Sequence, residues 1–376
     1  MTEKKYLNMN LMAVCGTVYR RASDEASSSG SDVALEQQLD DFSQHVGQIS
    51  AVSLEKTGLP QVEKIAKNIT VYRVADELIP QAMRTVHDLL HKGRTDAVIA
   101  QVMHMDVALK TAKDLQIKTI FNQHDFDVLP SMGKGGEIEP TLFLAPSRAV
   151  AERIAEVAGK EAIIYPNRFA NLHEIIGSDT IQQKYDVLMF NPNTLKGGNI
   201  FVELAKRFPE LQFAAVEGWT DLKTGGVFDL PLMQIMARSY SGDATAVQIP
   251  EEPSFTDIKN LTVLQPQKRV GDLIKAARLV LAPSQWEEAF GRVIVDAGLN
   301  NRHIIASNIG GIPEAMTVAG MPIETHPQLL VDDYTNIEAW ITALRFFLQN
   351  ETKLPKPEPK LPTPNITAVL DYLVNN

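Results

Sequence analysis

The sequence predicts an α/β protein made of two Rossmann-like, doubly wound domains facing each other across a cleft. Three observations lead there. Short apolar runs recur along the chain and stop at Pro-Ser, Gly, Asn or His clusters. Helical periodicities lie between them, so strand, loop and helix alternate as in parallel sheets covered by helices. The chain has 376 residues, more than one core usually closes around, which makes two domains the natural division.

Taken in order, Leu11–Cys15 is a first strand ending at Gly16, with Cys15 a small buried hydrophobe lacking a basic neighbour to activate it. A polar loop over residues 20–32 precedes a helix, Val33–Val46, with Leu35, Leu39, Phe42 and Val46 on one face. Strands follow at Ile49–Val52 and Ile69–Val74, then a helix at Pro80–Leu90. The strand Asp96–Gln101 runs into Met103-His104-Met105, and a helix spans Ala108–Leu115. The strand Thr119–Phe121 ends in Asn122-Gln123-His124-Asp125. Leu142–Pro146 is a strand with a Pro-Ser stop, followed by a helix at Arg148–Ala158 and a short strand at Ile163–Tyr165.

A second domain opens near Tyr185 with the strand Asp186–Asn191, the loop Pro192–Gly198 and a helix through Phe208. The strand Phe213–Val216 is closed by Glu217-Gly218-Trp219. Residues 220–258 are irregular, with a helix over Leu230–Arg238, and Leu261–Leu264 and Val270–Ala277 give a strand and a short helix. The strand Leu279–Ala282 stops at Pro283-Ser284, and a loop then feeds a helix bearing Val293, Ile294, Ala297 and Leu299. A strand at His303–Ala306, a glycine turn at Asn308–Pro313, a helix near Glu314 and a helix at Ile337–Leu348 complete the unit. Alternating prolines make Lys353–Pro364 a non-helical strap before a last helix, Ile366–Val374. The expected organisation is 1–184, 185–352, and a crossing segment 353–376.

Composition narrows the function. Apolar residues at 44% and charged residues at 22% describe an ordinary globular protein. With 36 basic against 46 acidic residues, a net charge of -10 argues against nucleic acid or an anionic membrane surface as partner. A single cysteine excludes an intrachain disulfide and a cysteine-based zinc cluster, and fits a reducing compartment. The opening MTEKKYLNMNLMAVCG is too short and broken in its apolar run for a signal peptide or a spanning helix, so a cytoplasmic location is expected.

Candidate chemistry concentrates between Leu279 and Ala315, whose two loops emerge at the carboxyl edge of the sheet, where open α/β folds place ligands. Glu288 lies just before Phe290-Gly291, and Asp296 lies two turns down the following helix. Gly291 allows close backbone approach, and the helix start offers free amides to an anion. A diphosphate flanked by hydroxyl-rich groups suits this arrangement; a surface acid and an ordinary helix-side Asp account for the same residues equally well. Lys196 beside two glycines at a helix start is an anion contact without the spacing of a nucleoside-triphosphate loop. Gly30 before a helix reads as a phosphate or sugar contact, or simply as part of a loop. His104 and His124 each read singly as structural histidines, but their shared position after apolar strands makes both functional candidates. Neither has a second ligand at helical or hairpin spacing, so no metal site is expected from them.

These residues carry a resemblance. Pro283-Ser284, Glu288, Phe290-Gly291, Asp296-Ala297 and Gly310-Gly311-Ile312-Pro313-Glu314 resemble the donor-binding signature of the large retaining glycosyltransferase family of the GT-B fold, glycosyltransferase group 1. Lys196-Gly197 is similar to the family's Lys-Gly, Gly218 to its glycine after the next strand, and Gly30 to part of its N-terminal glycine loop. The resemblance implies an N-terminal acceptor-side domain, a C-terminal donor-binding domain and a tail that crosses back. It implies metal-independent transfer, with retention, from a nucleotide diphosphate-sugar (a UDP- or GDP-sugar) to a hydroxyl of a polar, small or saccharide acceptor, with no cofactor beyond that donor. Glu288 would then hold donor-sugar hydroxyls, Asp296 the ribose and Lys196 the diphosphate. The amides around Phe290-Gly291 would cradle the leaving group, His104 would lie near the transferred sugar and Gly30 near its phosphates.

Two positions depart from the family. Asp296 stands where Glu is usual, and Asn191 where an Arg usually precedes the lysine, with Arg292 available to compensate. The alternatives are a non-catalytic relative that binds nucleotide or sugar, and a sugar-phosphate synthase of the same fold. Acceptor contacts are expected from Arg20–Asp32, His104–Asp106 and His124–Glu139. No basic amphipathic helix adjoins them, which favours a polar acceptor over a membrane-embedded lipid.

Overall fold

The computed structural model describes residues 6–15, 18–19, 30–54, 60–74, 79–101, 105–128, 130–170, 172–218, 220–221, 226–227, 253–267 and 269–375. Two compact units divide the chain, Met1–Ala170 with Pro362–Asn376, and Asn171–Leu361.

The first unit contains β1 (Asn10–Cys15), α1 (Gly30–Ser43), β2 (Gln48–Leu54), β3 (Val62–Ala66), β4 (Ile69–Val74), α2 (Ile79–Lys92), β5 (Ala97–Ala100) and α3 (Met105–Asp114). It continues with β6 (Lys118–Asn122), β7 (Leu142–Ala145), α4 (Arg148–Ala158) and β8 (Ala162–Ile164). Its eight strands lie in the order β3-β4-β2-β1-β5-β6-β7-β8. All neighbours are parallel except β3 and β4. β1 is apolar from Leu11 to Cys15 because both its faces are covered. Leu11, Ala13 and Cys15 join Leu35, Leu39 and Phe42 of α1 on one side, while Met12 and Val14 meet Val86, Leu90, Ala108 and Ala112 of α2 and α3 on the other. Cys15 is buried, with its thiol donating to Val52 O at 3.4 Å.

The second unit contains α5 (Leu172–Ile175), β9 (Tyr185–Phe190), α6 (Gly198–Arg207), β10 (Phe213–Val216), the two-residue strands β11 (Thr220–Asp221) and β12 (Gly226–Val227), and β13 (Leu261–Leu264). Then come α7 (Val270–Lys275), β14 (Ala277–Ala282), α8 (Arg292–Leu299), β15 (His303–Ser307), α9 (Ile312–Val318), β16 (Leu330–Val331) and α10 (Ile337–Asn350). Six strands in the order β13-β10-β9-β14-β15-β16 are parallel throughout. Their carboxyl ends therefore share one edge, and the loops after β9, β10, β14 and β15 emerge there.

Several details differ from expectation. β3 pairs antiparallel with β4 at the sheet edge; its residues alternate exposed and half-buried, so no apolar run marks it. α1 starts at Gly30 rather than Val33, making Gly30 the first helical residue. The expected helix over Leu230–Arg238 and the strand stop at Gly16 lie outside the described residues.

The unit boundary falls at residue 170 rather than 184. Gly177 N donates to Asn300 Oδ1 at 2.8 Å, Ser178 N to Asp272 Oδ1 at 2.9 Å, and Lys275 pairs with Asp179 at 2.7 Å, so this stretch is tied into the second unit. At the other end, the strap stays with that unit through residue 361. Lys360 N donates to Val318 O, and Pro355 O meets His303 Nε2, both at 2.8 Å. From Pro362 the tail belongs to the first unit, where Val369, Leu370 and Leu373 of the last helix, α11 (Ile366–Asn375), enter the core beside α1.

Candidate functional site

After β9 the backbone turns at Asn191, a non-glycine residue with φ of 49°. Asn193 Oδ1 accepts from Lys196 N at 2.8 Å and holds the loop coiled until α6 begins. Gly197 caps that helix with φ of 85°. A Cβ there would stand 2.0 Å from Pro283 O, so the loops after β9 and β14 touch backbone to backbone at this glycine. A hydrogen bond from Gln285 N to Leu195 O at 2.8 Å ties them again.

This contact brings together two sequence-predicted residues. Lys196 Nζ lies 2.5 Å from Glu288 Oε1. The same oxygen accepts from Ser284 Oγ at 2.7 Å and from Trp286 Nε1 at 3.0 Å, and the Lys196 ammonium sits 4.9 Å from the centre of the Trp286 ring. Glu288 Oε2 has no hydrogen-bond partner among the described residues. Burial alone would raise the Glu288 carboxyl, but the Lys196 charge and the three hydrogen bonds outweigh it and hold the group below the usual carboxylate range. Gly311 N donates to Glu288 O at 2.7 Å, which joins the glycine turn after β15 to the same loop. Neither Trp286 nor Asn193 was foreseen; an indole two residues before the acid was the only signal.

Gly291 (φ of 88°) opens α8, and Phe290 before it is 2% exposed, so Phe290 offers a ligand its backbone and not its ring. Asp296 lies one turn into α8 behind Arg292. Its Oδ1 is buried without a hydrogen-bond partner among the described residues. Burial pushes the Asp296 carboxyl up to about 6, with Arg292 pulling the other way. An orphaned buried acceptor is costly, and such groups are retained where a ligand supplies the missing donors. A vicinal diol is such a donor.

Because the folded-state value lies above the ordinary 3.8, folding takes up a proton between those two pH values. Asp296 therefore costs nothing below pH 3.8, costs progressively more as pH rises to about 6, and carries its full penalty above that. Asp296→Asn is expected to raise stability at pH 8 by about 1–2 kcal/mol, less than the full shift implies because the new amide also lacks partners. The gain is expected to vanish by pH 4. Urea titrations at both pH values check this, and equal effects at the two would refute it.

Gly218 stands where a Cβ would meet Asn191 Oδ1 at 2.3 Å, so the Asn191 side chain fills the space over this glycine. Asn191 N also donates to Val216 O at 2.9 Å. In the first unit, Gly30 is exposed at the start of α1. That start is held by Gln101 Nε2 donating to Ser31 O at 3.0 Å, within a buried amide network in which Asn122 Nδ2 donates to Gln38 Oε1 at 2.8 Å and Gln101 Oε1 at 2.7 Å. His124 adjoins the network on a cavity of about 10 Å³, lined also by Gln38, Asn122, Tyr165 and Asn167. His104 lies outside the described residues. A wider cavity of about 410 Å³ lies at the opposite, amino edge of this sheet. Its Lys118 and Lys113 donate to the carbonyls of Leu373 and Gly136.

Residues 257–359 match the family model described as glycosyl transferases group 1. The match lies within the second unit. The matched stretch contains Glu288, Gly291, Arg292 and Asp296, whereas Lys196 lies upstream of it. Among solved structures, the chain is similar to sucrose-phosphate synthase from Thermosynechococcus elongatus, with a TM-score of 0.66 at 13% identity over 92% of this chain and 91% of that one. It is also similar to HepE from Anabaena in complex with UDP and glucose, with a TM-score of 0.56 at 14% identity over 92% and 100% of the two chains. UDP-GlcNAc 2-epimerase from Neisseria meningitidis gives 0.56 at 13% identity over 98% and 100%. No curated protein matches in sequence. At these identities the likeness establishes the fold alone, which is GT-B. No helix among the described residues is long and apolar enough to cross a membrane.

Proposed function

We propose that the protein is a retaining glycosyltransferase that moves a sugar from a nucleotide diphosphate-sugar to a hydroxyl of a polar acceptor. The observation that carries this reading is the Lys196–Glu288 pair taken with the orphaned Asp296 oxygen, both acids lying in the stretch that matches the group 1 glycosyl transferase family. Lys196 meets the diphosphate, and with the amides at Phe290 and Gly291 it stabilises the charge that grows on the leaving group, so that no divalent metal is required. Glu288 accepts from donor-sugar hydroxyls, and Asp296 accepts from the ribose diol. A shorter acid than Glu at 296 demands a closer ribose. Arg292 supplies part of the positive charge that Asn191 does not. Gly218 keeps the backbone near the phosphates low.

The second unit is assigned the donor and the first the acceptor, and the family's motif makes His104 and Gly30 candidate contacts for the transferred sugar and its phosphates. UDP- and GDP-sugars are the donor class, and the uridine nucleotide held by the Anabaena relative supports the first. The fold also hosts an epimerase, so product analysis decides the reaction. Donor is incubated with a panel of saccharide and sugar-phosphate acceptors in EDTA. Nucleotide diphosphate is expected to be released as a product forms whose anomeric proton shows the donor's configuration. An inverted linkage, or turnover that requires added magnesium, would overturn the mechanism.

A further inference from the structure

Two histidines have no part in that chemistry. His87 and His91 stand one turn apart at the carboxyl end of α2, and both are exposed. Residues four apart on a helix share a face, and here the two imidazole rings approach to 4.0 Å between centroids at an interplanar angle of 45°. We propose that His87 and His91 chelate a divalent transition-metal ion.

Three physical arguments support this. First, two imidazoles already side by side need little ordering to place one nitrogen each at the ~2.0–2.1 Å that a zinc–nitrogen bond requires. The entropy usually lost in gathering ligands is thus largely spent in forming the helix. Second, His91 lies in the last turn and His87 one turn before it, near the helix carboxyl end, which carries partial negative charge and favours a cation. Third, imidazole nitrogen selects zinc, copper and nickel over magnesium and calcium, so the ligand chemistry names the class of ion. Asp88 is not a third ligand: its carboxylate is held by Lys92 at 2.7 Å, with His87 Nδ1 at 3.9 Å. Among the described residues no group of three or more His, Cys, Asp or Glu gathers at one point. The site is therefore bidentate, and its remaining positions are open to water or to a ligand from outside the chain. It differs in kind from the donor site, where Lys196 and backbone amides meet an anion.

The test titrates tag-free, full-length protein with zinc chloride by calorimetry in a non-coordinating buffer, with magnesium chloride as control. One zinc site per chain is expected, with no magnesium binding there. His87→Ala and His91→Ala are each expected to weaken it on the order of 100-fold, because a chelate becomes a single bond. Alanine favours the helix, so circular dichroism should show both variants folded. Of the 8 histidines in the chain, only the two absent from the variants are expected to shift in proton–nitrogen spectra on adding zinc. Zinc binding that persists unchanged in the double variant, or shifts at other histidines alone, would overturn the assignment. So would the absence of zinc binding up to millimolar concentration.

Discussion

Lys196→Ala is expected to slow sugar transfer by about 10²–10³-fold, the loss typical of removing one group that stabilises charge in a transition state. Its second effect falls on the protein itself. Lys196 and Glu288 side chains are 22% and 13% exposed, so the variant leaves a nearly buried carboxylate without its cation. The cost is expected to be on the order of 2–3 kcal/mol, below that of a wholly buried pair because some water reaches both groups. The depressed Glu288 carboxyl contributes stability that is present above its ordinary value of 4.5 and lost as pH falls through the folded-state value. Without Lys196, burial prevails and that contribution disappears. The double variant Lys196→Ala with Glu288→Gln is therefore expected to regain most of the stability and none of the activity. Steady-state rates and urea midpoints across this cycle separate the two roles. A single variant within about threefold of wild-type turnover would remove Lys196 from the chemistry.

Gly197→Ala is expected to be among the most damaging single methyl additions in the second unit. The added Cβ would lie 2.0 Å from Pro283 O and 2.7 Å from Pro283 C, both backbone atoms that cannot swing aside. The φ of 85° adds strain for any residue with a side chain. Relief requires the loops after β9 and β14 to part, which stretches the Gln285–Leu195 hydrogen bond and draws Lys196 away from Glu288. A loss of about 3 kcal/mol or more, with transfer activity nearly abolished, is the expected outcome. Gly159→Ala is the control. Its φ is 61° but nothing lies within 4 Å of the new Cβ, so only the backbone strain, about 1 kcal/mol, applies. Equal losses of thermal stability in the two variants would show that the inter-loop contact is not what Gly197 protects.

Strands were legible where burial on both faces left an unbroken apolar run, as in β1, β7, β14 and β15. β3 was not, because an edge strand with exposed side chains needs no such run. Lys196 and Glu288 were each recognisable from their own loops. Their contact was not, since they are separated by 92 positions and come together where Gly197 lets the Pro283 backbone approach its loop. That the second compact unit takes in residues 171–184 was not legible for a related reason: Asn300 and Asp272 capture residues 177–178 through hydrogen bonds that no local periodicity records. Asp296 was visible as an acid on a helix, whereas its orphaned oxygen and raised carboxyl depend on burial that only packing creates.

The last helix has a consequence for the order in which the chain can be completed. The first unit is discontinuous: its core needs Val369, Leu370 and Leu373, which follow the entire second unit in sequence. During synthesis, residues 1–170 emerge first yet keep the apolar face under α11 open, while 171–361 form an uninterrupted unit that has all its strands before α11 is made. The amino-terminal half of the chain is thus the last to close.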